Sequence, residues 1–515
     1  MDKTRLFPSS SPHLPTVSTP LSILDATVAR FSATGAVWLF EHIPEDINET
    51  EFIDRLCSSF VDALGDFEHW AGQLQWAPVR PGGSHTQRFN RPIIIYGDYN
   101  DPGVEWSVVR HPSIPVQSLA PSASERALGK GVWIGDDFAQ SLFLSDTPLP
   151  LHDLREFEDL PAMQIQLNLF NDGGYGIGIK MAHSLADAQS LMVFVHHWAA
   201  KSRKLFSSTD TSSLMDAPIF DPRLLDTHAA GDIDGPAADP ALVSIARQLP
   251  LHRFDWWRID DPGYSDFSIP ATENSKPSPE ILSQVEISPS TPGPWTTWDI
   301  SRPVRYTQLH YHGTELDRLK EQARADGRPD ISRLDALLAH MWAVINRARG
   351  HGDSTEDVFL NITLGARARV SPPLPESFIG SPVFNTHIKA SGASVCDSSV
   401  GQTASQIRDT MLQFTPDAMG AMLHDAAHEV SPQRLWQAFL GTQHTLATSW
   451  LRLKVYQVDF VGSKQQPRYV HAVMPKMDGC LQVMDSGVDD GGIDIALYLD
   501  AEAMENLLVD KKLHV

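Results

Sequence analysis

Alternation of apolar and polar residues marks one segment of the chain most clearly. Apolar residues occupy every second position over residues 163–169, which is the pattern of a strand with one buried face. A turn-forming run of Asn, Asp and two Gly follows at 171–174, and the apolar alternation resumes over 177–181. His183 continues this alternation. The pattern therefore predicts a β-hairpin with His183 at the end of its second strand, pointing toward the interior.

A helical period begins directly after this hairpin. Leu191, Phe194, Val195 and Trp198 lie at positions i, i+3, i+4 and i+7, so they form one apolar stripe. Asp187 lies one turn before Leu191 on the same stripe. Its carboxylate is thus predicted to face inward, where a charge requires a partner.

Similar patterns predict strands and helices on both sides of a long, weakly patterned stretch. Residues 201–303 are rich in Ser, Asp and Pro. Compact domains rarely contain an irregular segment of this length, so the stretch is predicted to cross between two domains, 21–200 and 304–515. Residues 1–20, rich in Ser and Pro, are expected to be a flexible N-terminus. The mixture of elements predicts an α/β (α+β) fold.

An aromatic patch at Phe254, Trp256 and Trp257 interrupts this crossover. One interpretation is an aromatic wall over a bound acceptor molecule. The other is that the patch attaches the crossover to the surface of a domain, and we favour this attachment because buried aromatic rings contribute strongly to packing.

Composition and charge narrow the classes of partner. The 515 residues include 64 acidic and 41 basic residues, a formal net charge of −23. Nucleic acids and anionic membranes bind clustered positive charge, so neither is an expected partner. Three cysteines without a CxxC spacing predict no disulfide framework and no zinc site. Without an apolar run that resembles a signal peptide or a membrane span, the expected location is cytoplasmic.

The pair His183 and Asp187 is the main candidate for chemistry. A neutral imidazole titrates near the working pH, so it can take a proton from a hydroxyl or amine and return it to a leaving group. The pair offers only two metal ligands, so no metal site is predicted there. The chain contains 21 histidines, so HxxxD is also expected by chance. A histidine that is merely hydrogen-bonded at a strand end is the alternative interpretation.

At this motif the chain resembles the BAHD acyltransferases, a coenzyme A-dependent family with an HxxxDG motif and a C-terminal DFGWG motif. The similarity covers most of the chain from about residue 21 to residue 508, in the family's order. It includes residues 160–199 around the hairpin, residues 332–349, and the run RARVSPPLP at 367–375. Residues 459–462, DFVG, stand where DFGWG belongs.

The resemblance implies a fold of two chloramphenicol-acetyltransferase-like domains, each a mixed β-sheet with flanking helices, joined by a long crossover. It implies a channel between them, with acyl-CoA entering from one side and a small acceptor from the other. His183 is then the general base, and Asp187 pairs with an arginine, for which Arg367 is the candidate. Acyl-CoA is the expected co-substrate, with no permanently bound cofactor, and the protein is expected to be a monomer.

Two other regions receive roles from the resemblance. Asp459, Phe460 and Gly462 lie in the second motif, which shapes the cofactor-binding side, although an ordinary strand end and turn is an equal alternative. Ser332 stands at the start of a predicted helix. It either presents amide donors to a phosphate of the cofactor or simply caps the helix, and capping is favoured.

The chain also departs from the family pattern. Ala188 replaces the glycine after Asp187, and Ser381 stands where the family usually has asparagine. Val461 and Ser463 break the second motif and remove its tryptophan. This looseness resembles the fungal branch that acylates secondary metabolites, such as the trichothecene acetyltransferases. The implied reaction is transfer of an acyl group, with acetyl expected, to a hydroxyl or amine of a small metabolite.

Two rival functions remain open at the level of sequence. The broken second motif is compatible with a non-catalytic protein that binds a small ligand on the same scaffold. A carrier-protein-dependent condensation enzyme shares the fold, but that class typically has a second histidine directly before the catalytic one. Ala182 holds that position here.

Overall fold

The computed structural model describes residues 2–9, 16–128, 131–206, 216–266, 269–462 and 464–514. The strands in these ranges are β1 (Asp2–Leu6), β2 (Val17–Pro20), β3 (Thr34–Phe40), β4 (Gln73–Trp76), β5 (Pro92–Tyr96), β6 (Val104–His111), β7 (Val132–Ile134), β8 (Met163–Phe170), β9 (Tyr175–Met181), β10 (Phe254–Asp255), β11 (Val304–Tyr311), β12 (Asp357–Gly365), β13 (Val383–Ser391), β14 (Leu435–Trp436), β15 (His444–Ser449), β16 (Tyr469–Ala472), β17 (Cys480–Asp485) and β18 (Ile493–Asp500). The helices are α1 (Ile23–Thr27), α2 (Glu49–Leu64), α3 (Ala123–Ala127), α4 (Ala188–Phe206), α5 (Arg223–Asp226), α6 (Pro240–Gln248), α7 (Ile269–Ser275), α8 (Pro279–Leu282), α9 (Gly313–Ala325), α10 (Arg333–Ala348), α11 (Gly392–Asp397), α12 (Val400–Leu412), α13 (Pro416–His428) and α14 (Ala501–Val509).

The first large sheet belongs mainly to the N-terminal half. It has six strands in the order β1-β6-β8-β9-β3-β16, and all neighbours are antiparallel except β6 and β8. The apolar stripes of α2 and α4 pack together in the core beside this sheet, where Phe60 meets Trp198 at 5.2 Å between ring centroids. This hydrophobic burial positions the start of α4, and with it the HxxxD turn.

The second large sheet belongs mainly to the C-terminal half. Its seven strands have the order β13-β12-β15-β17-β18-β11-β7, with parallel pairs at β12/β15 and β15/β17. Helix α10 presents Leu337, Met341 and Ile345 to its core. The two mixed sheets and their helices confirm the predicted fold class.

Each large sheet also takes one strand from the other half of the chain. Strand β16, late in the sequence, pairs with β3 in the first sheet, and β7, from the N-terminal half, pairs with β11 in the second sheet. Single cuts at residues 200 and 304 therefore do not separate the two sheets completely. Pairings across such distances leave no periodic signal in the sequence.

The hairpin of β8 and β9 forms as predicted, but the expectation of one solvent-facing side is wrong. Every residue of β8 is buried. The amides of Gln164, Gln166 and Asn168 donate to backbone carbonyls of residues 142–148 at 2.9–3.2 Å. The polar face is therefore covered by a loop, and its amides provide the hydrogen bonds that the buried loop backbone requires.

The flexible N-terminus expected at residues 1–20 is partly wrong. Strand β1 pairs with β6 along its whole length, and β2 pairs with β5. Ladder hydrogen bonds order both segments at the edges of their sheets, although neither carries an apolar run. Residues 10–15 lie outside the described part of the chain.

The crossover contains α5, α6, α7, α8 and β10, and α4 extends six residues into the stretch expected to be linker. Strand β10 pairs with β14, and Trp256 stacks on Trp436 with ring centroids 3.9 Å apart. Phe254 and Trp256 share a buried cluster with Tyr306 and Tyr498 of the second sheet. The favoured interpretation, that the aromatic patch attaches the crossover to a domain, is confirmed.

The structure also describes the apolar character of the helices and the state of the cysteines. Among the described helices, none has both the length and the apolar character needed to cross a membrane. Cys57, Cys396 and Cys480 are all free thiols, and Cys480 is buried. The three cysteines thus form no disulfide with one another.

Candidate active site

His183 lies where the two halves of the chain meet. It opens a short 3-10 turn, His183–Leu185, between β9 and α4, and it is partly exposed to solvent. Its Nδ1 lies 2.8 Å from the hydroxyl oxygen of Ser381 in the C-terminal half. Its ring packs against Phe31 in a T-shaped arrangement, with centroids 5.6 Å apart and an interplanar angle of 82°. The imidazole is therefore fixed from two sides while the residue keeps contact with solvent.

The surroundings of His183 favour the neutral imidazole. Burial of the ring lowers its pKa below the ordinary value, although the negative charge of Asp187 acts in the opposite direction. Near neutral pH, the group can thus accept a proton.

Asp187 has two structural tasks at the start of α4. Its Oδ1 accepts the backbone N–H of Ser190 at 2.9 Å, which is the role of a helix cap. Both of its carboxylate oxygens also accept from the guanidinium of Arg367: Oδ2 accepts from Nη1, and Oδ1 accepts from Nη2 at 3.0 Å. Burial raises the pKa of Asp187, but the charge and hydrogen bonds of Arg367 outweigh it, so the pKa is below the ordinary value. Ala188, in place of the family glycine, is the first residue of α4.

Ser190 and Gly380 complete this network, and sequence analysis missed both. The hydroxyl of Ser190 accepts from Arg367 at 2.9 Å and donates to the carbonyl of Gly380 at 2.7 Å. The same carbonyl accepts the backbone N–H of Asp187 at 3.0 Å. The available signal for Ser190 was its position three residues after Asp187, which places it on the same helix face.

Asp25 is a further residue that sequence analysis did not single out. It lies in α1, forms a capping box with Ser22, and accepts the backbone N–H of Ser381 at 2.6 Å. Burial raises the pKa of this carboxyl to about 7. Helix α1 thereby fixes the loop that carries Ser381. The sequence signal was the Ser-x-x-Asp spacing at residues 22–25.

Ser332 caps helix α10. Its hydroxyl accepts the backbone N–H of Asp335 at 3.1 Å and donates to the Asp335 carboxylate at 2.7 Å. Arg408 pairs with the same carboxylate. The hydroxyl is thus engaged within the helix start, in line with the favoured capping interpretation.

The second motif is built into the protein interior. Phe460 is fully buried against Trp198, with ring centroids 4.6 Å apart, so its side chain has no face for a cofactor. The carboxylate of Asp459 accepts the backbone N–H groups of Val461, Gly462 and Lys464 at 2.9–3.0 Å. Gly462 has a positive φ of 76°, which glycine adopts without strain.

These contacts make residues 459–462 a structural loop that follows the 3-10 turn Val455–Gln457, and the role of Asp459, Phe460 and Gly462 in shaping the cofactor-binding side stays a prediction. Ser463 lies outside the described residues. Phe460 packs against Trp198 of α4 in the core, so the segment supports the helix that follows the HxxxD turn and contacts His183 only indirectly.

Comparison with known proteins shows the family and the fold of this chain. The family model described as the Transferase family matches residues 136–246 and 280–513. The acyltransferase AFT15-1 of Alternaria alternata is 27% identical over 97% of this chain and 94% of its own length. Hydroxycinnamoyltransferase 1 of Oryza sativa subsp. japonica is 26% identical over 94% and 92%.

Solved structures share the fold. TRI101 of F. graminearum, complexed with coenzyme A and deoxynivalenol, has a TM-score of 0.66 at 14% identity and covers 96% of this chain and 98% of its own. Vinorine synthase has a TM-score of 0.58 at 15% identity, with 98% and 95% covered. The family model matches well over half of the residues of this chain. The chain therefore belongs to the Transferase family, the acyl-CoA-dependent acyltransferases that include the BAHD enzymes.

Proposed function

We propose that this protein moves an acyl group, with acetyl expected, from acyl-CoA to a hydroxyl or amine of a small secondary metabolite, and that His183 is the general base. One observation carries the proposal. His183 as a residue is partly exposed, burial of its imidazole lowers the pKa, and Ser381 holds the ring at the junction of the two halves. A general base requires this combination of fixed orientation, neutral state and access.

The hydrogen bond to Ser381 suggests which nitrogen reacts. If the Nδ1–H of His183 donates to the Ser381 hydroxyl, Nε2 carries the lone pair. Nε2 then removes the proton from the acceptor hydroxyl as its oxygen attacks the thioester carbonyl. The tetrahedral intermediate collapses to the ester, and the CoA thiolate leaves with the proton returned from Nε2. Holding both reactants in one channel removes much of the entropic barrier.

Asp187 and Arg367 are positioning residues in this proposal. Their ion pair is buried and joins the HxxxD turn to the loop before β13. Within the described part of the chain, the hydrogen bonds of Asp187 go to Arg367, Ser190 and Gly380, and none goes to the imidazole of His183. Its carboxylate therefore orients the turn, and its effect on His183 is through charge.

The relatives indicate the class of acceptor. Fungal relatives are named acyltransferases, and plant relatives are named for hydroxycinnamoyl transfer to small acids such as shikimate and piscidic acid. We propose a small secondary metabolite as acceptor for this chain as well, in a cytoplasmic monomer whose lobes span about 21–200 and 304–515. Size-exclusion chromatography with light scattering tests the monomer.

The function is tested by incubating the purified protein with acetyl-CoA and longer acyl-CoAs, together with a panel of polyketide, terpenoid and alkaloid alcohols and amines. We expect one acceptor to gain the mass of the acyl group while free CoA appears. Thermal stabilisation by CoA without transfer to any acceptor would favour a non-catalytic ligand-binding protein. Transfer only from an acyl carrier protein would favour the condensation-type enzyme.

A further inference from the structure

Three potential metal ligands meet in a part of the second sheet that the proposed mechanism does not use. His310 lies near the end of β11, and His312 follows two residues later, so both side chains are on the same face. Asp490 lies in the loop before β18. The candidate ligand atoms of the three residues all lie within 4.8 Å of one another. His312 and Asp490 are 178 positions apart in the sequence, so no local spacing predicts this cluster.

His310 is held between two carboxylates. Its Nδ1 is 2.7 Å from Asp494, its cross-strand partner in β18, and its Nε2 is 2.9 Å from Oδ2 of Asp490. An ionised carboxylate only accepts hydrogen bonds, so both ring nitrogens require a hydrogen, or a cation in place of the hydrogen on Nε2. Burial lowers the pKa of His310, but hydrogen bonds and charge from the two carboxylates outweigh it and raise the pKa overall.

The surrounding contacts resemble the outer shell of a metal site. Asp494 fixes the orientation of His310 and also accepts from the Gln308 amide at 2.6 Å. A carboxylate behind a ligating histidine commonly performs this task. The other oxygen of Asp490, Oδ1, accepts the backbone N–H of Gly492 at 2.7 Å, which directs Oδ2 toward the imidazoles. The Nδ1 of His312 lies 2.7 Å from this Oδ2.

Access and charge also suit a cation. The side chains of His312 and Asp490 are 44% and 24% exposed, so an ion can reach them from solvent. Asp490 and Asp494 bring two negative charges. The cations beside them are Arg126, 3.9 Å from Asp494, and Arg333, which donates to the backbone near Asp490 at 3.4 Å. Neither arginine is paired with the carboxylate of Asp490 itself.

We propose that Nε2 of His310, Nδ1 of His312 and Oδ2 of Asp490 bind a divalent transition-metal ion, for which Zn²⁺ is the best fit, with water as a fourth ligand. Two imidazoles, a carboxylate and water form a donor set that zinc accepts in tetrahedral geometry. The ion replaces the hydrogen on Nε2 of His310, which leaves as a solvated proton. It also replaces the hydrogen on Nδ1 of His312, which moves to Nε2 of the same ring by exchange with solvent. Tetrahedral ligands lie roughly 3.3 Å apart. Both imidazole nitrogens therefore move away from Oδ2 of Asp490 by roughly half an ångström, and toward each other from their present separation within 4.8 Å.

Isothermal titration calorimetry with ZnCl₂ at pH 7.5 tests the site on the full chain after treatment with EDTA. We expect one equivalent to bind to the wild type. His312→Ala and Asp490→Asn each weaken the affinity at least about tenfold. His42→Ala, which removes an exposed imidazole elsewhere, leaves the affinity unchanged. Affinity also falls from pH 7.5 to pH 6, because protons compete for the ligands.

Folding of the variants is checked by thermal unfolding without metal. His312 forms no side-chain cap on α9, so its loss leaves the metal-free unfolding temperature close to that of the wild type. Zinc then raises the unfolding temperature of the wild type and of His42→Ala, but not that of His312→Ala. Failure of the wild type to bind one equivalent, or equal binding by His312→Ala, overturns the proposal and leaves a proton shared among the three side chains.

Discussion

Single residues set the conditions for acid–base chemistry at His183. The ring is held by Ser381 and Phe31, and burial lowers its pKa. A lowered pKa keeps the imidazole deprotonated at pH values where an exposed histidine is already protonated. Ser381, which hydrogen-bonds the proposed base, stands where the family usually has asparagine. Both side chains carry an oxygen atom that can accept the Nδ1–H of the imidazole.

The pH dependence of the rate follows from this setting. We expect kcat/KM to rise with pH through an inflection below about 6.5, the ordinary pKa of histidine, and to be level at neutral pH. Asp187→Asn removes the charge that raises the pKa of His183, so its inflection moves to lower pH. Profiles of kcat/KM between pH 4.5 and 8 test this. An inflection above 7 in the wild type would contradict the assignment.

Ser381 is expected to contribute through one hydrogen bond. Ser381→Ala removes the partner of Nδ1 and lowers kcat by roughly fivefold, the equivalent of about 1 kcal/mol. Ser381→Asn restores most of the rate, since its amide oxygen can accept the Nδ1–H. Steady-state kcat values at saturating acyl-CoA measure the effect. Equal rates in the alanine variant and the wild type would show that Ser381 does not orient the base.

At the scale of elements, the junction between α4 and the loop before β13 holds the site together. Periodicity predicted α4 and the β8–β9 hairpin, and the family resemblance proposed Arg367 as the partner of Asp187. Periodicity did not reveal the loop that covers the polar face of β8. Alternation shows that one face of a strand is polar, but it does not show whether water or a loop covers that face. Gln166 is buried because this loop packs over it and the carbonyl of Leu142 accepts from its amide.

Loss of the ion pair at this junction is expected to reduce stability. Arg367→Ala leaves the buried Asp187 without its cation and lowers the free energy of unfolding by about 3–5 kcal/mol. Arg367→Lys loses less but cannot reproduce the two parallel hydrogen bonds. The matched control is Arg223→Ala, because the exposed pair of Arg223 with Asp221 contributes little. Urea denaturation measures all three. A loss of under about 1 kcal/mol in Arg367→Ala would contradict the pair's structural role.

For the whole molecule, the sequence predicted two mixed sheets, a long crossover and a site between the halves. It did not predict that β7 and β16 exchange between the sheets, because such pairing depends on distant backbone. It also missed the three-residue cluster of His310, His312 and Asp490, whose members meet only in the folded chain. Local pattern thus predicts elements, while long-range contacts decide which side chains share a site.

Buried histidines in and beside the second sheet give the whole molecule a pH-dependent stability; His444 lies in β15, and His252 of the crossover stacks on His387 of β13. Burial lowers the pKa of His252 to about 2 and that of His444 to about 3, so both stay neutral when folded. At these two sites the unfolded chain binds more protons below pH 6.5, so their contribution to stability falls as pH decreases from that value. Asp25, whose pKa burial raises to about 7, acts in the opposite direction but is a single group. At pH 5 each contributes a loss of about 2 kcal/mol. Urea denaturation at pH 7 and pH 5 tests this, and unchanged stability would contradict it.

The turnover of His183→Ala tests the central claim most directly. With the acceptor identified by mass shift, kcat is compared with the wild type at saturating acyl-CoA, and thermal stabilisation by CoA serves as the control for folding and binding. We predict that kcat falls by ~10²–10⁴ because proton removal from the acceptor is lost, while CoA still stabilises the variant. Turnover close to that of the wild type would show that His183 is not the general base.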